Sequence, residues 1–143
     1  MPFLTQEDYK AIIKDQIFAQ VMGNDITVAQ EAELFAQQEI TSYLNQRYDC
    51  TDIFSQEGTD RNALIVMYMI DITLYHMHAR INPMKIPQIR IDRYENAVKW
   101  LGMVSKGQIT PGLPLITDAI TGETDPDLGR GRSGSNEKFN HQW

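Results

Sequence analysis

The sequence predicts an all-α protein: a small helical bundle of four to five helices followed by a long, mostly extended C-terminal arm. Three observations point there. Before Gly107, apolar residues recur at intervals of three and four along successive segments, the spacing of one helical face. No period-two alternation of useful strand length occurs in the same part. Beyond Gly107 the texture changes to Pro111, Pro114 and Pro126 interleaved with glycines, which a helix does not tolerate. A helical domain over residues 1–107 and an arm over 108–143 follow from that change.

The first segment opens with Thr5 as N-cap, and Glu7 and Asp8 complement the helix dipole. Tyr9, Ile12, Ile13, Ile17, Phe18 and Val21 carry its apolar period as far as Gly23-Asn24, in one helix or two short ones. Asp25 or Thr27 caps the second helix. Val28, Ala32, Phe35, Ala36, Ile40, Tyr43 and Leu44 form its inward stripe, and Gln30, Glu31, Glu33, Gln37 and Gln38 face away. It should end near Tyr48, before a loop spelled "DCTDIFSQEGTD".

The third helix is expected to start after a Thr59-Asp60 cap and run to about Ile81. Its run from Ala63 to Ile70 is apolar all round, as a central, surrounded helix requires, so Leu64 and Ile70 are both expected in the core. Pro83 and Pro87 break the chain in "INPMKIP". A fourth helix follows from about Gln88 to Lys106, with Ile91, Tyr94, Val98 and Leu101 as its apolar positions and Gly107 as its stop. In the arm, "LPLITDAITG" could form a short strand or hairpin around Leu115 to Ile120.

Composition narrows the function. The chain has 143 residues, enough for one ordinary domain with a real core. A formal net charge of -6 leaves no basic excess to neutralise nucleic-acid phosphates. A single cysteine, Cys50, excludes a disulfide framework within the chain and suits a reducing compartment. The N-terminus lacks the basic and apolar regions of a secretory signal, and the longest apolar run is too short to span a bilayer. A soluble product that does not enter a membrane is expected.

Catalytic and metal-binding patterns are missing. His76 and His78 stand two apart, so their side chains leave the helix in different directions, and the Glu-x-x-His pattern of a di-metal bundle does not occur. Cys50 has no motif around it to make it a nucleophile. Asp71 interrupts an apolar helix and needs a partner if buried. An ion pair with Arg47 or Arg80, a thin polar strip and a subunit contact all satisfy it. Nothing calls for a cofactor, a catalytic residue or a bound metal, and no enzyme is expected.

At the far end of the arm, "GRGRSGSNEKFNHQW" sets Phe139 and Trp143 in a stretch too rich in glycine and polar residues to fold alone. Large aromatics are the preferred anchors of protein interfaces. Arg130, Arg132, Lys138, Phe139 and Trp143 are therefore the candidate partner-binding residues, with Arg130 and Arg132 equally able to meet a nucleic-acid backbone.

The order of elements, with "EITSYLNQRY" closing the second helix and "RYENAVKWLGMVSKGQI" in the fourth, resembles small head–tail connector (adaptor) proteins of tailed bacteriophages, in particular the Mu-like prophage family. The likeness covers roughly residues 3–109. It implies a structural virion protein in the neck region, made in the host cytoplasm. It also implies a ring, typically of twelve copies, beneath the portal protein, facing a tail or second ring protein, with DNA passing through the lumen without sequence-specific binding. In such a ring, Glu31, Glu33 and Gln38 would face Arg90, Arg93 and Lys99 of a neighbour, with Asp71 as a further subunit contact. Two other classes stay open: a helical interaction module, such as a phage or host regulator that binds through the arm, and an enzyme or nucleic-acid binder without a recognisable motif.

Overall fold

The computed structural model describes residues 3–116. Within them the chain forms six α-helices and no paired strands beyond one isolated bridge. The opening segment is two short helices, α1 (Gln6–Tyr9) and α2 (Asp15–Met22). Left-handed backbone at Gly23 and Asn24 turns α2 into α3 (Ile26–Leu44); at Gly23 the missing Cβ removes the steric cost of that conformation. Asp25 is the α3 cap, accepting from the Thr27 amide at 3.1 Å. Residues expected as loop after Tyr48 instead form α4 (Cys50–Ser55) and a 3₁₀ turn (Gly58–Asp60), because the Asp49 carboxylate caps the Asp52 amide and Ile53 supplies a buried anchor. α5 (Ala63–Ile81) is capped by Asn62 rather than by Thr59-Asp60, its Oδ1 accepting from the Leu64 and Ile65 amides. α6 (Gln88–Ser105) closes the bundle.

α3, α5 and α6 pack on one another, and α5 also touches α1 and α2. From Met69 to Leu74 every residue of α5 is buried, so this stretch has no solvent face. Towards its N-terminus the helix emerges on one side: Leu64 is 43% exposed, against its expected place in the core, because the first turn of α5 points Ile65 inward and leaves Leu64 on the outer side. On α3 the inward stripe is Ala29, Ala32, Ala36, Ile40 and Leu44. Phe35, read from the sequence as inward, faces out. The small alanines let α3 approach α5 closely, and a phenylalanine does not fit in that seam. On α6 the buried set is Arg90, Ala97, Trp100, Leu101 and Val104; the expected positions Tyr94 and Leu101 face the core, whereas at Ile91 and Val98 the buried position is the preceding residue.

The N-terminal segment is held by Arg61. Its guanidinium grips Asp8 with two hydrogen bonds of 2.7 and 3.0 Å and donates to the Phe3 carbonyl, while Nε donates to Gly58. A bidentate pair of this kind fixes orientation as well as position. It holds α1 to the turn before α5.

After Gly107 the chain continues onto the bundle rather than leaving it. Leu113 is buried, Ile109 and Leu115 pack against the core, and Leu115 bridges Tyr48 in antiparallel fashion. The Asp49 amide donates to the Pro114 carbonyl at 2.9 Å, and the Ile116 amide to Arg47 at 3.2 Å. The packed unit therefore extends to Ile116. The rest of the proposed strand or hairpin, from residue 117, lies outside the described residues.

Two outcomes test this packing. Ile70→Ala should cost about 2–5 kcal/mol, whereas Leu64→Ala should cost well under that, since much of Leu64 already meets water. Chemical denaturation of the two variants measures both. A chain ending at Ile116 should melt like the full-length protein. One ending at Gly107 loses the burial of Leu113 and should be less stable by roughly 1.5–3 kcal/mol.

Candidate interaction surfaces

Asp71 sits on the turn of α5 with no solvent face and is only 2% exposed. Its partner is Arg93 of α6, one α6 turn beyond Arg90, not Arg47 or Arg80: Arg93 Nε donates to Oδ1 at 2.7 Å. Burial raises the Asp71 carboxyl above its ordinary value, and Arg93 opposes that rise. Arg90 is buried beside this pair and adds its charge. Its Nη1 has no hydrogen-bond partner among the described residues, and burial pushes its guanidinium down. Asp71, Arg90 and Arg93 thus form one internal charge cluster between α5 and α6. Asp71 and Arg90 are too deeply buried to meet a neighbour, which corrects their expected place on a subunit contact.

A second polar cluster joins α3, α5 and α6. Glu39 accepts from the Tyr94 hydroxyl at 2.8 Å and lies 3.2 Å from His76 Nε2. Tyr94 stacks on Tyr75 with ring centroids 4.1 Å apart. Burial and the Glu39 charge push the Tyr94 hydroxyl well above its ordinary value, so it remains a donor. His78 is spent on the Leu74 carbonyl, 2.8 Å away. The two histidines therefore serve different partners. Cys50 is buried at the start of α4, where burial pushes its thiol up and away from the reactive thiolate.

Of the remaining residues singled out from the sequence, Glu33 is half-buried and takes the Tyr9 hydroxyl, which removes it from the free surface. Glu31 and Gln38 on α3 and Lys99 on α6 are exposed. The arm residues Arg130, Arg132, Lys138, Phe139 and Trp143 lie outside the described residues.

The surface feature that sequence periodicity missed is apolar. On α3, Leu34 and Phe35 are both more than half exposed. At the turn from α5 to α6, Met84 is 89% exposed and is flanked by exposed Ile81 and Ile89. Asn82 holds that turn, its Oδ1 accepting from the Met84 amide at 3.2 Å and its carbonyl from Lys85 at 3.1 Å. Large apolar side chains left out of a core in this way mark interaction surfaces.

Residues 3–126 match the family model described as Bacteriophage Mu, Gp36. The chain belongs to that family. The match runs through all six helices and past Ile116, and it agrees with the Mu-like resemblance carried by "SYLNQRY" and "RYENAVKWL". Membership in the Gp36 family makes this a phage protein of the structural or morphogenetic kind. No curated protein and no solved structure matches the chain. Among the described residues, no helix is long and apolar enough to cross a membrane.

The internal charge cluster yields a pH test. Arg93→Leu removes the cation that holds the Asp71 carboxyl down, so its folded value climbs further above the unfolded one. A group raised on folding contributes stability that is complete below its unfolded value and is lost as pH rises through the folded value. The variant should therefore lose little against wild type near pH 4 and about 2–3 kcal/mol near pH 7, where the buried carboxylate loses its hydrogen-bonded cation and keeps only Arg90 nearby. Denaturation midpoints across that range check the sign.

Proposed function

We propose that this protein is a head–tail connector: a structural, non-enzymatic virion protein that forms a ring beneath the portal, continues the DNA channel and joins the head to the tail. The observation that carries this reading is the pairing of a phage family match across the whole bundle with exposed apolar side chains on separate elements. A protein that engages Asp71, Glu33 and Glu39 in its own packing while leaving large apolar side chains exposed is suited to assembly. The net charge of -6 fits a lumen through which DNA slides without being held.

In this reading the ring contacts are made by copies of the bundle, and the C-terminal arm docks on the portal or on an adjoining ring. Phe139 and Trp143 are its anchors, with Arg130, Arg132 and Lys138 pairing with acidic groups of that partner. The neck of the virion is where such a protein resides after assembly in the host cytoplasm.

Sedimentation with heads that carry the portal of the same phage tests the proposal. The full-length chain should co-sediment and appear beneath the portal in averaged electron micrographs. Changing Phe139 and Trp143 together to alanine should abolish or sharply weaken attachment and leave helical circular dichroism intact. A full-length chain that ignores portal-bearing heads and instead binds a non-virion protein would replace this reading with that of a regulator.

A further inference from the structure

The bundle presents two exposed apolar patches of opposite charge setting. On α3, Glu31 lies one helical turn before Leu34 and Phe35, so the three share an outward surface. α3, "ITVAQEAELFAQQEITSYL", has no lysine or arginine, and of its three glutamates Glu31 is the exposed one, Glu33 and Glu39 being held by Tyr9 and by Tyr94 and His76. The segment "RINPMKIPQIR" around the α5–α6 turn carries no acid and exposes Arg80 and Lys85, Arg90 being buried. Its tip exposes Ile81, Met84 and Ile89.

The tip is pre-organised. Asn82 fixes the Met84 and Lys85 amides, and Pro83 and Pro87 restrict the backbone on either side. A rigid apolar protrusion loses little entropy on docking. Neither Glu31 nor Lys85 has an ion-pair partner among the described residues, so both charges are available.

We infer that the α5–α6 tip of one copy, led by Met84 and Lys85, seats on the Leu34–Phe35 face of α3 of the next copy, with Lys85 meeting Glu31. The occupant of each patch is a second copy of this chain. The two patches are different and lie on different elements, so the contact is heterologous and repeats from copy to copy, as ring closure requires. Glu31 keeps the role expected of it in the sequence, but its basic counterpart is the inter-helix turn rather than Arg90 or Arg93, which serve Asp71 inside the bundle. The inference rests on the connector reading and specifies the surface through which the ring would close.

Copies that each carry one added cysteine test it. Full-length Phe35→Cys and Met84→Cys proteins are mixed in equal amounts on portal-bearing heads and joined with a short bis-maleimide. Each protein alone gives the background from Cys50, which is buried. The expected product is the mixed dimer, with like-with-like dimers at background, whereas random collision gives mixed dimers at only about twice the yield of each like dimer. Glu31→Lys should abolish assembly, and adding Lys85→Glu should restore it. If wild type joins the heads but the mixed cross-link is missing, or Met84→Asp assembles as well as wild type, the inference falls and the connector reading stands. If wild type neither joins the heads nor self-associates at high concentration, the connector reading falls and takes the inference with it.

Discussion

The absence of a solvent face on α5 between Met69 and Leu74 is the constraint on which the remainder of the bundle depends. A helix apolar all round cannot be half covered, so α3, α6, α1 and α2 must all lie against it. The alanine seam of α3 answers the need for close approach on one side. Tyr68 against Trp100, with centroids 4.9 Å apart, packs the side facing α6. Once the chain commits to surrounding α5, the segments 3–9 and 108–116 have little freedom. Arg61 ties the first helix down through Asp8, and Leu113 brings the segment after Gly107 back onto the core.

The same constraint explains the charge cluster. Asp71 stands in the middle of the enclosed turn, where an isolated carboxylate would be costly. Arg93 reaches it from α6 while keeping about a third of its side chain in water, and Arg90 is held in the same low-dielectric space. Such a pair adds little net stability compared with well-packed apolar residues, yet it penalises any rotation of α6 that separates the two charges. It sets the register of α6 on α5, and so the direction in which the α5–α6 turn projects Met84. The internal charges and the external apolar tip are thereby linked through one helix pair.

That division of labour has a functional consequence. Conspicuous polar groups such as Asp71, Glu39, His76 and Glu33 are engaged inside the bundle or at its seams. Among the exposed groups left for a partner are the apolar side chains of Leu34, Phe35 and Met84, edged by charges such as Glu31 and Lys85. This is the composition of an assembly surface with a hydrophobic centre and a polar rim, and it suits a structural protein of a phage family.

Sequence alone determined the helical class, the four longer helical segments, the proline break before α6 and the Gly23-Asn24 corner, because each is a local matter of period, capping or backbone freedom. It also marked Asp71 as a residue that needs a partner. Which arginine answers was decided only in three dimensions, since Arg47, Arg80, Arg90 and Arg93 are chemically alike and separation along the chain does not measure distance across a helix pair. The same holds for Phe35 and Leu64. Both satisfy a helical apolar pattern, and whether a side chain on the edge of that pattern is covered depends on the neighbour's width and length. An alanine-lined seam leaves no room for Phe35, and the first turn of α5 points Ile65 inward and Leu64 to water, so the tertiary packing turned two expected core residues into surface.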